Sequence, residues 1–229
     1  DAPGAASGLP RLSISDISRS IETIPTTNAA IENVPAMMHD IFANGIAYLE
    51  LAFDVSDVPE DLQPYLPLLA KLISNMGAAG LDYEEMAKRI VLKTGGIGYH
   101  LSAGMTMDGG NNWQKLIFRV KALHRNIADA VNIISDLLIA GDMSNETRMR
   151  DLIAERKNDL HASVIPSGHI FARRSAGQAL SIAAYRDEQW HGRTQLKFVN
   201  MIADKFDKRK KELLDKLTFL QHTIFRTVR

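Results

Sequence analysis

The chain contains no cysteine. A disulfide framework, a thiolate zinc site and a cysteine nucleophile are therefore excluded, while the redox compartment stays open. It also lacks an excess of either charge: Lys+Arg and Asp+Glu both number 27, and the formal net charge is zero. The usual electrostatic argument for a nucleic-acid or membrane-surface partner is removed, though local patches are not. No apolar run approaches the roughly 20 residues that span a bilayer. The longest candidate, Ile127 to Ala140, is broken by Asp129, Asn132 and Asp136. The opening Asp-Ala-Pro-Gly-Ala-Ala-Ser-Gly has neither an initiator Met nor the basic and apolar regions of a signal peptide. It reads as a linker or a cut boundary, as expected of a fragment, and leaves cytoplasm, periplasm and an organelle matrix all open.

What is present is an ordinary globular composition. The 229 residues are 45% hydrophobic and 24% charged, enough for a core without staples. Small residues and Pro over 1–20 read as a linker and lead-in, with a short helix expected within Leu12 to Ile21. A strand is expected from Ile31 to Met38, at a sheet edge because of Pro35. Asn44-Gly45 is a hairpin turn signal. Behind it Ala47, Leu49, Leu51 and Phe53 alternate with Tyr48, Glu50 and Ala52, so one face of a strand is buried. Leu62, Leu66, Leu69, Ile73 and Met76 fall on one helical stripe, which Leu68 and Leu72 widen; Pro64 sits in the first turn. Asp82 with Glu85 forms a capping box for a helix whose apolar face is Tyr83, Met86, Ala87, Ile90 and Val91. Gly95 and Gly96 end it.

Strands are expected from Tyr99 to Met107 and around Leu116, Phe118 and Val120, joined by the turn cluster 108–111. Helical stripes follow: Ile127, Val131, Ile134 and Leu138, then Met149, Leu152, Ile153 and Leu160, capped by Ser144 or Asn145. Pro166-Ser167-Gly168 breaks the second. Helices are expected over His169 to Arg186, Thr194 to Phe206 and Asp207 to about Arg226. Strands gather in the first half and helices in the second. That order favours an α+β fold with helices on one face of a mainly antiparallel sheet. The organisation expected is a lead-in over 1–20, an α+β domain over 21–204, and a helix over 205–229 running into a following domain.

Several constellations have plain structural readings. His161, His169 and His191 lack helix-face spacing, so surface or helix-end histidines are favoured over a metal site. Ser167-Gly168-His169 reads as a helix N-cap rather than a nucleophile beside a base. The glycines of Lys93-Thr94-Gly95-Gly96-Ile97-Gly98 follow a helix, so they cap it and cradle no phosphate. Asp82, Glu84 and Glu85 cap and solvate a first turn. Lys205, Lys208, Arg209, Lys210 and Lys211 alternate with Asp204, Asp207, Glu212 and Asp215, the pattern of a solvated helix with i,i+4 pairs. Trp113, Trp190, Tyr185 and Phe198 are read as core rather than as a peptide-binding wall.

The order of these pieces resembles one domain of the pitrilysin-type zinc peptidases, in the presequence-protease branch. The likeness is carried by Leu9-Pro10-Arg11-Leu12-Ser13-Ile14-Ser15-Asp16-Ile17, Leu66-Pro67-Leu68, Leu81-Asp82-Tyr83, Lys93-Thr94-Gly95-Gly96-Ile97, Ser167-Gly168-His169 and Glu188-Gln189. It implies the third, non-catalytic domain, the family's associated domain, with the two-layer metallohydrolase-like fold of the processing-peptidase type. It further implies four such domains in two hinged halves around a closed chamber. Active domains of the family carry H-x-x-E-H on the helix after the strand. Placed by its distance to Gly77, that motif puts its two His positions on Leu68 and Leu72 and its Glu position on Lys71. Leu cannot bind zinc and Lys cannot act as an anionic base. Neither His-x-x-Glu-His nor His-Glu-x-x-His occurs in the chain.

No catalytic, cofactor-binding or metal residue is therefore expected in this chain. The resemblance implies a parent zinc metalloendopeptidase for short unfolded, presequence-like peptides, with its zinc in an upstream domain. This segment, inactive alone, would help to enclose the substrate chamber. The alternative is a structural scaffold domain in a non-peptidase relative. Expected partners are the remaining domains of the parent chain and unfolded peptides, with no nucleic acid and no membrane. Self-association of the fragment through exposed apolar surface is a further expectation.

Overall fold

A computed structural model describes residues 12–21 and 23–225. The Leu9-Pro10-Arg11 part of the resemblance lies outside the described residues, as do positions 226–229. The fold is α+β, and the chain divides into two units, 1–44 and 45–229.

In the first unit a 3-10 turn, Ile14–Asp16, stands where a short helix was expected. The Ser13 backbone N–H donates to Asp16 Oδ2 at 2.7 Å, which fixes the turn's start. Strands β1 (Thr27–Ile31) and β2 (Val34–Met38) then pair antiparallel, Ile31 opposite Val34 and Thr27 opposite Met38. The single strand expected over Ile31 to Met38 is thus the second arm of a hairpin. Its Glu32-Asn33 turn lacks the glycine that marks such loops, yet Glu32 takes a left-handed φ of 56°. Asn44 and Gly45 have the positive φ values, 50° and 75°, of their expected turn. The strand behind them nevertheless finds its partner much later in the chain.

The second unit runs β3 (Ile46–Asp54), α1 (Leu66–Ile73), β4 (Gly77–Ala78), α2 (Tyr83–Lys93), β5 (Ile97–Met105), β6 (Asn112–Leu123), α3 (Ile127–Ala140), β7 (Gly141–Asp142), α4 (Glu146–Val164), α5 (Gly168–Gly177), α6 (Ile182–His191), α7 (Arg193–Asp204) and α8 (Phe206–Phe225). The main sheet has the order β3-β6-β5, antiparallel throughout, with β5 and β6 joined by the 108–111 turn. The small pair β4-β7 ties the end of α3 to the loop after α1. Alternation in the sequence sorts the sheet's two faces. Leu116, Phe118, Val120 and Ala122 are buried on one, with Leu49, Leu51 and Phe53 half-buried beside them. Tyr48, Glu50, Ala52, Arg119 and Lys121 are exposed on the other.

Helices α1, α3, α6 and α8 pack on the sheet. Every residue of α1 is buried, as its apolar character on all sides demands. In α2 the capping box forms as read: Asp82 Oδ1 accepts from the Glu84 and Glu85 N–H groups, both at 2.9 Å, and Glu85 Oε2 accepts from the Asp82 N–H at 3.2 Å. Its apolar face differs from expectation. Met86 is buried but Val91 is 77% exposed, because ion pairs Arg89–Asp136 and Lys93–Asp129 turn the Met86–Lys93 stripe toward α3. In α3 the buried stripe is Ala130, Ile133, Ile134, Leu137 and Leu138, displaced about one residue from the expected one, and Ile127 and Val131 remain exposed. In α4 the expected stripe is the buried one: Met149, Leu152, Ile153 and Leu160. The helix expected over His169 to Arg186 is two helices. Ser181 caps the second, its Oγ accepting from the Ala184 N–H at 3.1 Å.

Candidate functional site

Helix α1 is where chemistry would sit if this chain carried it. Leu68 and Leu72 are fully buried among core hydrophobics. Lys71 is also buried, 8% exposed. Its ammonium reaches Glu155 Oε1 at 2.9 Å and Asp159 Oδ2 at 3.7 Å, both on α4. The two carboxylates stand four residues apart, so one face of α4 presents both to one cation. Their side chains remain 57% and 56% exposed, so water shares in satisfying them. The Lys71 carbonyl accepts from Asn75 Nδ2 at 2.8 Å. The position where a general base would stand is thus an ion-pair anchor between two helices. Two hydrocarbon side chains and an ammonium do not fit a zinc ion, since none offers it a lone pair. Among the described residues no group of three or more His, Asp or Glu side chains converges as a metal site.

The histidines take separate roles. His161 Nε2 is bonded to Asn200 Oδ1 at 2.9 Å. His169 is exposed on α5. Ser167 makes no side-chain cap bond there, and its carbonyl instead accepts from Ile170 and Phe171. His191 has a partner that spacing between histidines could not reveal: Asp187, one turn earlier on α6, at 3.0 Å through Nδ1. Arg174 of α5 donates to Asp187 Oδ2 at 2.8 Å and to the His191 carbonyl at 3.2 Å. The His191 hydrogen bond, and then Arg174, hold the Asp187 carboxyl at about 2, against a burial cost that pushes the other way. The signal was present as Asp-x-x-x-His on a helix. Asp187, His191, Trp190 and Ser102 line a cleft of about 280 Å³ between α6 and β5.

A second polar cluster joins the loop after β3 to α6. Glu60 accepts from the Tyr185 hydroxyl at 2.9 Å, Arg186 Nη1 at 2.6 Å and Gln189 Nε2 at 2.6 Å. Burial raises the Glu60 carboxyl, but these three donors outweigh it and the result lies below the ordinary value. Arg186 Nε also donates to Gln114 Oε1 on β6 at 2.7 Å. Trp190, fully buried, donates its indole N–H to Gln63 Oε1 at 3.2 Å. Glu188, 3% exposed, accepts the Thr194 N–H at 3.2 Å at the start of α7. Its other oxygen packs against Gly192, where any Cβ would collide with it. Of the remaining aromatics, Phe198 packs edge-on to Tyr65 with ring centroids 4.7 Å apart. Trp113 lies over Gly104 at a distance that leaves no room for a side chain.

The basic stretch after Asp204 is laced as its pattern suggests. Arg209 and Lys216 both bind Glu212, and Arg209 first, then Lys216, holds that carboxyl at about 2. Lys210 reaches across to Glu146, and Arg150 to Asp207. No helix among the described residues is long and apolar enough to cross a membrane.

Comparison with known proteins adds an independent line. Residues 1–202 match a peptidase-associated family, the associated domain of the pitrilysin-type peptidases. The chain is 34% identical over 203 residues to the mitochondrial presequence protease of Danio rerio, covering 88% of this chain and 20% of that protein. It is 27% identical to presequence protease 1, chloroplastic/mitochondrial, of Arabidopsis thaliana, covering 90% and 19%. It is also 27% identical to protein HypA of Clostridium perfringens, covering 95% and 22%. The chain therefore spans about a fifth of the length of these relatives.

Proposed function

The chain belongs to this peptidase-associated family, and on that premise we propose that it is a non-catalytic segment of a zinc metalloendopeptidase that degrades short unfolded peptides. It holds no catalytic or metal residue of its own, and the zinc and the general base lie in an upstream domain of the longer protein. Its partners are the other domains of that protein, with which it encloses a substrate chamber. Enclosure admits peptides by size and by lack of fold, and keeps bulk water from the reacting centre.

One observation carries the reading. Lys71 is buried and bound to Glu155 in the helix position where a base would be needed, and Leu68 and Leu72 flank it in the core. A segment that had kept a catalytic role would need ligands and a carboxylate there. The exposed sheet face, with cross-strand ion pairs Arg119–Glu50 at 2.5 Å and Lys115–Asp54 at 2.6 Å, supports a wall rather than a reaction centre.

The test uses a quenched unstructured peptide with added zinc. The 229-residue chain is expected to give no metal-dependent turnover. The longer protein is expected to cleave the peptide and to carry H-x-x-E-H upstream of this segment. Metal-dependent cleavage by the segment alone would overturn the reading. A longer protein without the motif and without activity would point instead to a scaffold role.

A further inference from the structure

The large apolar side chains of the first unit face solvent. Phe42 is 94% exposed, and along the β1–β2 hairpin Ile31 is 69%, Val34 59%, Met37 72% and Met38 60% exposed. Directly paired residues share a face. One side therefore carries Thr27, Ala29, Ile31, Val34, Ala36 and Met38, and the other Asn28, Ala30, Pro35 and Met37. Glu32, at the turn, is the one charged residue between Thr27 and Met38. A two-stranded ribbon is marginal in water by itself. An uncharged one with apolar groups on both faces gains its stability only when covered.

The two edges of the ribbon are not equivalent. Ile31 and Val34 close a two-residue loop, the place of a hydrogen-bonded pair. Alternation makes Ala30–Pro35 and Asn28–Met37 the non-bonded pairs, whose main-chain groups point outward. Pro35 has no N–H, so the outer edge of β2 lacks a donor at its middle. Strands that must avoid pairing carry Pro or charge at such a position. The outer edge of β1 carries neither, and presents the full donor and acceptor sets of Asn28 and Ala30.

We propose that β1 is a docking edge, which adds as a strand to the edge of a β-sheet in the part of the longer protein outside this chain. The inference rests on the reading of this chain as a segment of a longer peptidase. About four-fifths of the relatives' length lies outside the region matched here, which supplies the occupant. Main-chain pairing gives the attachment, and the alternate apolar side chains fill pockets on either side of the receiving sheet. An acidic or basic partner surface has nothing in the ribbon to recognise. A second copy of the chain is a poorer occupant, because a five-residue strand buries far less than the roughly 1,200 Å² of a stable interface between separate molecules. Within one chain, tethering removes that requirement.

Amide hydrogen exchange read by mass spectrometry, on the 229-residue chain and on the longer protein, tests this. Residues 27–31 are expected to exchange at least about tenfold more slowly in the longer protein. Ala30→Pro, which removes the outward N–H of β1, is expected to abolish the slowing. Asn33→Gly, which alters only the turn, is expected to keep it. Equal exchange in the two proteins overturns the proposal. So does protection of 27–31 that grows with concentration in the 229-residue chain, which would assign the edge to a second copy. The peptidase reading fails separately, by absence of zinc-dependent cleavage in the longer protein, a quantity the exchange measurement does not consult.

Discussion

At the scale of single residues, Lys71 shows how a position can keep a packing role without chemistry. Its aliphatic stem fills the core side of α1, and its ammonium meets two carboxylates that water also reaches. Lys71→Met keeps the stem and leaves Glu155 and Asp159 solvated. It is expected to cost about 1 kcal/mol or less in urea unfolding. Lys71→Glu instead buries a carboxylate facing two others, and is expected to cost about 3 kcal/mol. A near-neutral Lys71→Glu would contradict the anchor assigned here. Asp187 gives a pH-dependent counterpart. Its carboxyl is lowered from 3.8 to about 2 by His191 and Arg174. A folded-state value below the unfolded one means stability that is fully present above about pH 4 and is lost as pH falls through about 2. The side chain is 39% exposed, so screening reduces the effect of Asp187→Asn to about 1 kcal/mol at neutral pH. The gap between wild type and variant is expected to close on acidification toward pH 2, as followed by denaturant titration across that range.

At the scale of elements, local rules and tertiary constraints divide the work. The start of α2 follows local chemistry, with the Asp82 carboxylate taking two otherwise unpaired N–H groups. Asp82→Ala is expected to destabilise by about 1 kcal/mol and to fray the first turn, seen as faster amide exchange at Glu84 and Glu85. The face that α2 buries is another matter. Tyr83, Met86, Ala87, Ile90 and Val91 form a sound stripe on the page of the sequence, yet the pairs Arg89–Asp136 and Lys93–Asp129 set the helix's rotation and leave Val91 in water. The break between α5 and α6 depends on a local cap, Ser181, that an apolar pattern running through it conceals.

At the scale of the whole molecule, the core closes through contacts between distant parts of the chain. Phe225 of α8 packs edge-on against Phe53 of β3 and Phe118 of β6, with centroids 4.8 and 5.9 Å away. Leu213, Leu217, Leu220 and Ile224 bury the same side of α8. Phe225→Ala is expected to cost about 3 kcal/mol, the cavity left being walled by rings that cannot collapse into it. Phe219→Ala, at a side chain 53% exposed on the same helix, is expected to stay within about 0.5 kcal/mol. Equilibrium unfolding of the two variants side by side checks both. Equal effects would mean that α8 does not seat on the sheet as described.

Spacing along the chain by itself determined the α+β class, the burial of α1, the capping box of α2, the inward stripe of α4 and the misfit of Leu68, Lys71 and Leu72 to a zinc motif. All of these are set within one or two turns of helix or one strand, where residue type and period act directly. Only the tertiary structure decided that β3 pairs with β6 rather than with the strand before Asn44-Gly45. It alone gave Lys71 its partner on α4, added Arg174 to the Asp187–His191 pair, and left the hairpin's apolar residues in solvent. Each of those outcomes depends on groups far apart in sequence meeting in space, and no local periodicity encodes which distant group arrives.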